Sequence, residues 1–411
     1  MDTSLTDEKT DFYHRPGVQT TILPYGPGVP FGVEVVQNPQ VGLAGAYGAW
    51  GNSYDNNSLK TMLHTLLGDA LESSEVGELD ELGFINRHHL PQLTDEEHLE
   101  VELEVGANLL RQAANANGWH TQDVQGVLIG MSSPITQDYL EQICRRAGIP
   151  EHAWKVSIHK ACDSSVAGLH LALNPSLTAA GQPNLAEELK GKKVLVGGIE
   201  GLSRFLRSSQ DVNALQLFGN GAGVIGVIPG ETMTFLTGST REAYDEEGVL
   251  QVRMAYPHSR ATMLEISPAG SSHLRVAGLM HEPEGGLPIA MSGMMGMVKL
   301  FIRNGVQVVT EAYTAYRQHM ERLGTPAKDV AVAIVHHANY KINKLKEKHL
   351  ANAGFRFPMP WLLNDFGNVS AASNMIAFLR WLPNLKPGEH ILFDGFGAGT
   401  YYDSLTVALA D

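Results

Sequence analysis

One order of elements occurs twice along the chain, and this repeat constrains the fold more than any other feature. In the first half a continuous apolar run (VQGVLIG) precedes a polar turn that enters an apolar helix, and a strand ending in glycines follows (KACDSSVAGLHLAL, KKVLVGGIEG). The second half has the same order: AVAIVHHAN, NVSAASNMIAFLRWL and HILFDGFGAG. This recurrence predicts an α/β fold built from two duplicated halves. Ligands of such open sheets bind where the strands end, beside the polar turns.

Three regions are predicted along the chain. Residues 1–32, where four prolines lie among glycines, are predicted to form an N-terminal arm outside the core. Residues 33–230 form the first half of the duplication, and residues 231–411 form the second. The stretch 174–191 has no counterpart in the second half, so it is predicted to be a surface excursion.

Composition excludes several classes of protein. A chain of 411 residues with 43% hydrophobic residues can bury a sizeable core, and it has no uninterrupted apolar run of about 18 residues that would span a membrane. The N-terminus lacks the basic and apolar regions of a secretory signal, and two cysteines cannot form a disulfide framework. A net charge of −14 argues against nucleic-acid binding. We therefore expect a cytoplasmic enzyme, with most of its excess acid between residues 71 and 104, on a solvated face.

Cys162 is the first candidate for chemistry. It lies where a buried strand turns into the N-terminus of an apolar helix, among small residues. A helix N-terminus stabilises a thiolate, although the adjacent Asp163 opposes one unless its carboxylate points away. The alternative is a buried structural cysteine, which is common for cytosolic thiols.

His336 and Asn368 are predicted to face the same crevice, because each lies at a strand-to-turn junction of the second half. A thiol, an imidazole and a carboxamide suit acyl transfer: the thiolate carries the acyl group, and the other two donate hydrogen bonds to a developing oxyanion. The pair His336–His337 suggests a metal site as an alternative. Neighbours on a strand point to opposite faces and no third ligand lies at a suitable spacing, so no metal is predicted.

The glycine pattern GAGVIG at residues 221–226 matches a dinucleotide-binding fingerprint. In that fingerprint the glycines open a helix. Here they lead into a β-branched strand that ends at a proline. No nicotinamide cofactor is therefore predicted.

Together these segments resemble β-ketoacyl-acyl-carrier-protein synthase III and its relatives in the thiolase superfamily. The resemblance runs from about residue 42 to the C-terminus, and VHHANYKI and FGNVSAAS are its most specific motifs. It implies a five-layer αβαβα thiolase fold and a homodimer. It also places the nucleophile on Cys162, the catalytic histidine on His336 and the catalytic asparagine on Asn368. The backbone amides of Cys162 and Ala398 are then the candidate oxyanion hole for the acyl group.

Several segments depart from the family. Where relatives that use coenzyme A carry a tryptophan and an arginine, this chain has the acidic run VGELDELGFINRHH. The segment containing Met291, Gly293 and Met294 is rich in methionine, which indicates either core filling or a deformable wall of an acyl tunnel. Glu200 ends a strand near the crevice. It is either a second base, as a glutamate is in some relatives, or a structural carboxylate.

The predicted function is an acyl-thioester-dependent ketosynthase that forms a C–C bond by Claisen condensation, in a specialised fatty acid or polyketide pathway. One alternative is an acyltransferase that moves the acyl group to an oxygen or nitrogen of a small molecule. Another is a non-catalytic partner subunit, which the presence of Cys162, His336 and Asn368 disfavours.

The predicted substrate is an acyl thioester of phosphopantetheine, on a carrier protein or on coenzyme A, with no other cofactor. Lys341, Lys344 and Lys348 are spaced to share one face of a predicted helix. In the family, the position matching Asn339 contacts pantetheine, and the position matching Lys341 is a basic residue at the entrance. Because carrier proteins are acidic, this basic stripe favours an acyl carrier protein as partner over free coenzyme A. The alternative is a solvated lysine face.

Overall fold

The computed structural model describes residues 11–26, 28–68, 79–132, 135–136, 138–177, 183–208, 215–242, 253–254, 265–268, 273–277, 289–290, 294–325, 329–397 and 401–411. In these ranges the strands are β1 (Gln19–Leu23), β2 (Val29–Asn38), β3 (Leu43–Trp50), β4 (Asn52–Asp55), β5 (Asn86–His89), β6 (Gly126–Gly130), β7 (Trp154–His159), β8 (Val194–Glu200), β9 (Gly221–Val227), β10 (Met233–Glu242), β11 (Arg253–Met254), β12 (Glu265–Pro268), β13 (His273–Ala277), β14 (Ile289–Ala290), β15 (Val330–Val335), β16 (His390–Gly397) and β17 (Tyr401–Leu409). The helices are α1 (Asn56–Leu67), α2 (Asp95–Ala116), α3 (Tyr139–Ala147), α4 (Ser164–Leu173), α5 (Leu185–Leu189), α6 (Phe205–Ser208), α7 (Met294–Arg322), α8 (Tyr340–Asn352) and α9 (Ser373–Trp381).

The strand order confirms the duplication. The larger sheet runs β1-β2-β3-β9-β8-β6-β7-β13-β12, and a second sheet runs β10-β17-β16-β15. Within the first, β3-β9-β8-β6 are joined by two antiparallel pairings and then a parallel one. The second sheet has the same sequence of pairings from β10 to β15. Each half of the chain therefore contributes one copy of the same four-stranded arrangement.

Helices separate the two sheets and cover their outer faces. α4 contacts β6 and β8 of the first sheet and β16 and β17 of the second, and α9 likewise contacts β3, β9, β15 and β16. α2 covers the outer face of the first sheet with α3 packed against it, while α7 covers the second sheet with α8 packed against it. The result is the five-layer αβαβα arrangement that the family resemblance implies. Most residues of the central strands and helices are apolar because both of their faces are buried.

Residues 11–32 do not behave as an arm outside the core. β1 and β2 extend the larger sheet, and β2 crosses the predicted boundary at residue 32. Phe12 is fully buried and its ring centroid lies 4.6 Å from that of Phe366. The prolines did not prevent pairing because Pro16 and Pro24 fall in turns and Pro30 lies near the start of β2.

Two other expectations are refined by the structure. The stretch 174–191 carries the short helix α5, whose Leu185 and Leu189 are buried, and residues 178–182 lie outside the described part. The acidic segment is not wholly solvated. Glu102 on α2 is buried, where it accepts hydrogen bonds from Arg204 Nε at 3.0 Å and Tyr139 Oη at 2.7 Å.

Candidate functional site

Cys162 lies in a short 3-10 turn, Ala161–Asp163, between the end of β7 and the start of α4. Ala161 has a φ of +49°, a left-handed conformation that is unfavourable for a residue with a Cβ. Within the described part of the chain, the one other non-glycine residue with a positive φ is Ser370, at +44°. Strained backbone of this kind is concentrated at functional sites. Cys162 itself is partly exposed, so its thiol is accessible at the start of a buried helix.

Ser370 begins the equivalent turn of the second half, Ser370–Ala372, which leads into α9. The residues before the two turns have similar dihedral angles, φ −120° and ψ 36° for Lys160 against φ −100° and ψ 32° for Val369. Glycines let both turns approach the strands: a Cβ on Gly130 would lie 2.5 Å from Ser164 Cβ, and one on Gly198 would lie 2.6 Å from Ala371. The repeat therefore holds at the level of backbone conformation, with Ala371 in the place of Cys162.

Ser370 connects two of the predicted site residues. Its hydroxyl donates a hydrogen bond to Cys162 Sγ at 3.2 Å, and its amide donates to Asn368 Oδ1 at 2.9 Å. Asn368 is held in place by its own amide, which donates to Leu217 O at 2.7 Å. Because this arrangement uses the amide oxygen of the Asn368 side chain, Nδ2 is the group suited to donate to an oxyanion.

His336 lies at the same edge of the second sheet. It follows β15, and its amide donates to Asp394 O on β16 at 3.0 Å, while its carbonyl accepts from Asn343 Nδ2 on α8 at 3.1 Å. The same strand, β16, packs on the Cys162 turn: a Cβ on Gly397 would lie 2.2 Å from Lys160 O. The fold thus brings His336 to the Cys162 end of the molecule through β16.

The imidazole of His336 is neutral at ordinary pH. Burial, with smaller contributions from His337 and Lys346, lowers its pKa to about 3. Neither ring nitrogen has a hydrogen-bond partner within the described residues. A neutral imidazole with an unengaged N–H is suited to donate to an oxyanion, which a substrate would supply.

Asp163 points away from the thiol, which resolves the question its position raises. Its Oδ2 lies 3.3 Å from Lys160 Nζ, and its Oδ1 accepts from the amide of Asp403 at 3.2 Å. Lys160 also pairs with Asp403, whose other oxygen accepts from His170 Nδ1 at 2.6 Å. Burial, and next the nearby Asp403 carboxylate, hold the pKa of Asp163 well above its usual range. Behind the nucleophile there is therefore a fully buried cluster whose charges are matched, not an isolated anion.

Glu200 ends β8 and is also buried at the site. Its Oε1 accepts hydrogen bonds from the amide and hydroxyl of Ser132, at 2.9 and 2.6 Å, and from the amide of Ala371 at 3.0 Å. Burial raises the pKa of Glu200 to about 7, against the opposing effect of these hydrogen bonds. The Ser132 hydroxyl also contacts the Ser370 hydroxyl. Glu200 is thereby connected to Cys162 through two serines.

The predicted entrance lies on α8. Asn339 caps this helix by accepting from the amide of Ile342 at 2.9 Å, and Lys341, Lys344 and Lys348 are exposed along one face as expected. Two lysines of this stripe already form ion pairs, which their spacing in the sequence does not indicate. Lys341 pairs with Glu81 of the acidic segment, and Lys344 pairs with Glu347 at 3.0 Å. The acidic segment therefore neutralises part of the charge of this stripe, because a turn at Leu79–Leu82 packs on α8.

Some predicted residues lie outside the described part of the chain: Ala398 of the oxyanion hole, and Met291 and Gly293 of the acyl tunnel. Met294 is the first residue of α7, and its side chain lies outside the described part as well. Residues 221–226 are indeed a buried strand rather than a phosphate-binding turn. His337 accepts a hydrogen bond from the amide of Leu362 at 3.0 Å, so its Nε2 is engaged inside the protein.

Among the described residues, no three metal-ligating side chains form a group that could hold a metal ion. The helices in those ranges include none that is both long and apolar enough to cross a membrane.

Ser370 and Ser132 were not singled out in the sequence. Ser370 lies two residues after Asn368, in a run of small residues at a strand-to-helix turn, which is the same local context that identified Cys162. Ser132 is a polar residue directly beyond a buried strand. The local sequence around each serine indicates a polar position at the end of a strand. It carries no information about the contact between the two serines, because they lie far apart along the chain.

Comparisons with known proteins agree with this architecture. The family model "3-Oxoacyl-[acyl-carrier-protein (ACP)] synthase III C terminal" matches residues 320–409. The β-ketoacyl-[acyl-carrier-protein] synthase III of Clostridium perfringens (strain SM101 / Type A) is 24% identical over 317 residues, which are 73% of this chain and 82% of that protein. Among solved structures, 3-oxoacyl-[acyl-carrier-protein] synthase III from Aquifex aeolicus VF5 aligns with a TM-score of 0.60 at 17% identity, covering 95% of this chain and all of that one. Cerulenin-bound OleA from Xanthomonas campestris aligns with a TM-score of 0.58 at 14% identity, covering 91% and 96%.

The duplicated five-layer fold and these similarities define the class: the protein has the thiolase fold. Within that class, the sequence is similar to synthase III over most of the chain, and a stretch of 98 residues is also 31% identical to the hydroxymethylglutaryl-CoA synthase of Thermoplasma acidophilum. In both sequence and fold, the chain therefore resembles a divergent synthase III.

Proposed function

We propose that this protein is an acyl-thioester-dependent ketosynthase that forms a C–C bond by Claisen condensation. The observation that carries the proposal is the hydrogen-bonded group formed by Cys162, Ser370 and Asn368. It unites a thiol at a helix N-terminus with a carboxamide from the other half of the chain. Such a pairing suits a covalent acyl intermediate with an oxyanion donor beside it.

The first half-reaction acylates Cys162. The thiolate attacks the carbonyl carbon of an acyl thioester, and the pantetheine thiolate leaves, so that the acyl group is held as a thioester on Sγ. The amides of Cys162 and Ala398 are the proposed donors to the oxyanion of this step. The matched charges of the Lys160 cluster support the thiolate, because no uncompensated carboxylate faces it.

The second half-reaction forms the new bond. A malonyl-type thioester loses CO₂, and its electron pair becomes an enolate that attacks the acyl carbonyl on Cys162. His336 and Asn368 are the proposed donors to the enolate oxygen. The low pKa of His336 supports this assignment, because a neutral imidazole donates a hydrogen bond without titrating near neutral pH. With a β-ketoacyl donor, loss of a proton takes the place of loss of CO₂.

The proposed substrates are thioesters of phosphopantetheine, delivered by an acyl carrier protein or by coenzyme A. The relatives carry the acyl carrier protein in their names, and the exposed lysines of α8 beside Asn339 support a carrier-protein approach to this chain. The proposed assembly is a homodimer, as the resemblance implies, and the proposed compartment is the cytoplasm. The proposed pathway is fatty acid or polyketide synthesis.

Intact-protein mass spectrometry after incubation with a panel of acyl thioesters tests the first half-reaction. We expect one acyl group on the wild-type protein and none on Cys162→Ala. Cys144→Ala is the matched control, because Cys144 is buried and burial raises the pKa of its thiol to about 12. Acylation that persists in Cys162→Ala, or its absence from the wild type with every thioester, would contradict the proposal.

A further inference from the structure

A chain of hydrogen-bonding groups leads from Cys162 into the interior. The Ser370 hydroxyl lies 3.2 Å from Cys162 Sγ, it contacts the Ser132 hydroxyl, and that hydroxyl lies 2.6 Å from Glu200 Oε1. Ser370, Ser132 and Glu200 are each at most 2% exposed, whereas Cys162 is partly exposed. This series of hydrogen-bonded groups therefore begins at the accessible thiol of Cys162 and ends at the buried carboxylate of Glu200.

We propose that Cys162 and Glu200 share one proton through Ser370 and Ser132. The proposal rests on the proposed function, because it explains how the acyl-accepting thiolate forms. The S–H bond of Cys162 breaks and its proton passes to Ser370 Oγ, the Ser370 proton passes to Ser132 Oγ, and the Ser132 proton passes to the Glu200 carboxylate. A thiol and a carboxylate become a thiolate and a carboxylic acid, and solvent neither gives nor takes a proton.

The two end states differ in the direction of every hydrogen bond. When Glu200 is ionised, Ser132 donates to it, Ser370 donates to Ser132, and the thiol donates to Ser370. When Glu200 is protonated, all three bonds reverse and Ser370 donates to the thiolate. Each hydroxyl carries one hydrogen, so neither serine can serve both ends at once. The ionisation of Glu200 therefore determines which form of Cys162 the chain stabilises.

The surroundings of Glu200 suit this exchange. Burial raises the pKa of Glu200 to about 7, and a thiol at a helix N-terminus commonly has a pKa of about 3.5 to 7.5, so moving the proton between them costs little. The charged or titratable groups around the inner end are Arg204, Glu102 on α2 and Tyr139 on α3, and Arg204 and Glu102 already pair with each other. Those beside the outer end along the sequence are Lys160 and Asp163, which pair with each other.

The pH dependence of Cys162 alkylation by iodoacetamide, followed by intact-protein mass, tests the proposal without any thioester. For the wild type we expect two steps separated by a plateau, because two coupled groups lose two protons in succession. Glu200→Gln leaves one titrating group, and its side-chain oxygen can still accept from the backbone amides of Ser132 and Ala371. We therefore expect a single step, with alkylation near neutral pH raised about two-fold, because matched groups leave the thiol about half ionised on the plateau.

Ser132→Ala breaks the chain but keeps both titrating groups. We expect a single step of thiol ionisation, because the thiol can no longer pass its proton to Glu200 and Ser370 is left to donate to the thiolate. Ser373→Ala is the matched control. Ser373 is equally buried three residues after Ser370, and within the described residues its hydroxyl makes no hydrogen bond. Its profile should match the wild type.

Single-step profiles in both variants, beside two steps in the wild type, support the shared proton. A single-step wild-type profile overturns it, and so does a loss of alkylation in both variants, which a structural role of Glu200 predicts. If Glu200→Gln does not fold, Ser132→Ala decides: a profile like the wild type overturns the proposal, and a single step supports it. A protein that alkylates in two steps but accepts no acyl group keeps the shared proton and loses the proposed function.

Discussion

At the scale of single residues, the site is organised by buried polar side chains. Ser370 binds Sγ of Cys162 and the side chain of Asn368 at once, while Asp163, beside the nucleophile, is turned into a buried cluster with Lys160. His336 is buried in its neutral form. The Ser370 hydrogen bond and the turning of Asp163 away from the thiol favour the ionised, reactive form of Cys162, because the first can donate to a thiolate and the second removes an anion from beside it.

The first prediction concerns the oxyanion donors. Asn368→Ala removes a carboxamide that we assign to the enolate oxygen, so condensation should slow by roughly 10²–10³-fold. Acylation of Cys162 should persist, because that half-reaction uses backbone donors. Single-turnover measurements of each half-reaction separate the two. If acylation fell as far as condensation, the assigned role of Asn368 would be wrong.

The second prediction concerns pH and His336. Burial lowers the pKa of His336 to about 3, whereas an unfolded chain takes up this proton near pH 6.5. The unfolded state therefore binds more protons in this window, and the free energy of unfolding falls as the pH drops from about 6.5 towards 3. His336→Asn should reduce this dependence, measured by urea unfolding at several pH values.

The exposed His64 on α1 provides the control for this experiment. His64→Asn should leave the dependence of unfolding on pH as in the wild type. An unchanged dependence in His336→Asn would contradict the burial of a neutral imidazole at this position.

At the scale of elements, the repeated turns were largely predictable and their partners were not. Apolar runs bounded by polar residues gave β6, β8, β15 and β16 and the helices α4 and α9, because local patterning determines such buried elements. Residues 11–32 join the larger sheet and do not form the predicted arm, because proline is tolerated in turns and near the start of a strand. The contact of Lys160 with Asp403 spans 243 residues, and local spacing carries no information about it.

The third prediction concerns this contact, which ties β17 to the Cys162 turn. Lys160→Met leaves the Asp163 and Asp403 carboxyl groups buried without their cation, so the free energy of unfolding should fall by about 3–5 kcal/mol. Lys341→Met is the matched control, because Lys341 forms an ion pair on the exposed surface and should change stability by less than about 1 kcal/mol. Equal effects in urea unfolding would contradict the buried cluster.

At the scale of the whole molecule, the two halves supply different parts of one site. The first half contributes Cys162 and Glu200, and the second contributes His336, Asn368 and Ser370, each near the start of a central helix or the end of a strand. The duplication in the sequence predicted this division. It did not predict that Glu81 of the acidic segment would meet Lys341, because that contact depends on how the segment folds back on α8.

The fourth prediction concerns carrier-protein docking on α8. Charge reversal of Lys341 and Lys344 should raise KM for a carrier-bound substrate far more than for a short pantetheine thioester, because only the carrier presents a large acidic surface. Glu81→Gln should do the opposite and lower KM for the carrier-bound substrate, since it removes the anion that pairs with Lys341. Equal changes for both substrates would contradict docking at this stripe.

The central claim is that the acyl group on Cys162 becomes part of a new C–C bond. The most direct measurement is a chase experiment, in which the isolated acyl-enzyme is mixed with a panel of malonyl thioesters and both protein and products are analysed by mass spectrometry. The account predicts loss of the acyl mass from the protein together with release of CO₂ and a β-ketoacyl thioester that contains the acyl carbons. Acyl carbons recovered only as the free acid, or only on an oxygen or nitrogen acceptor, would contradict it.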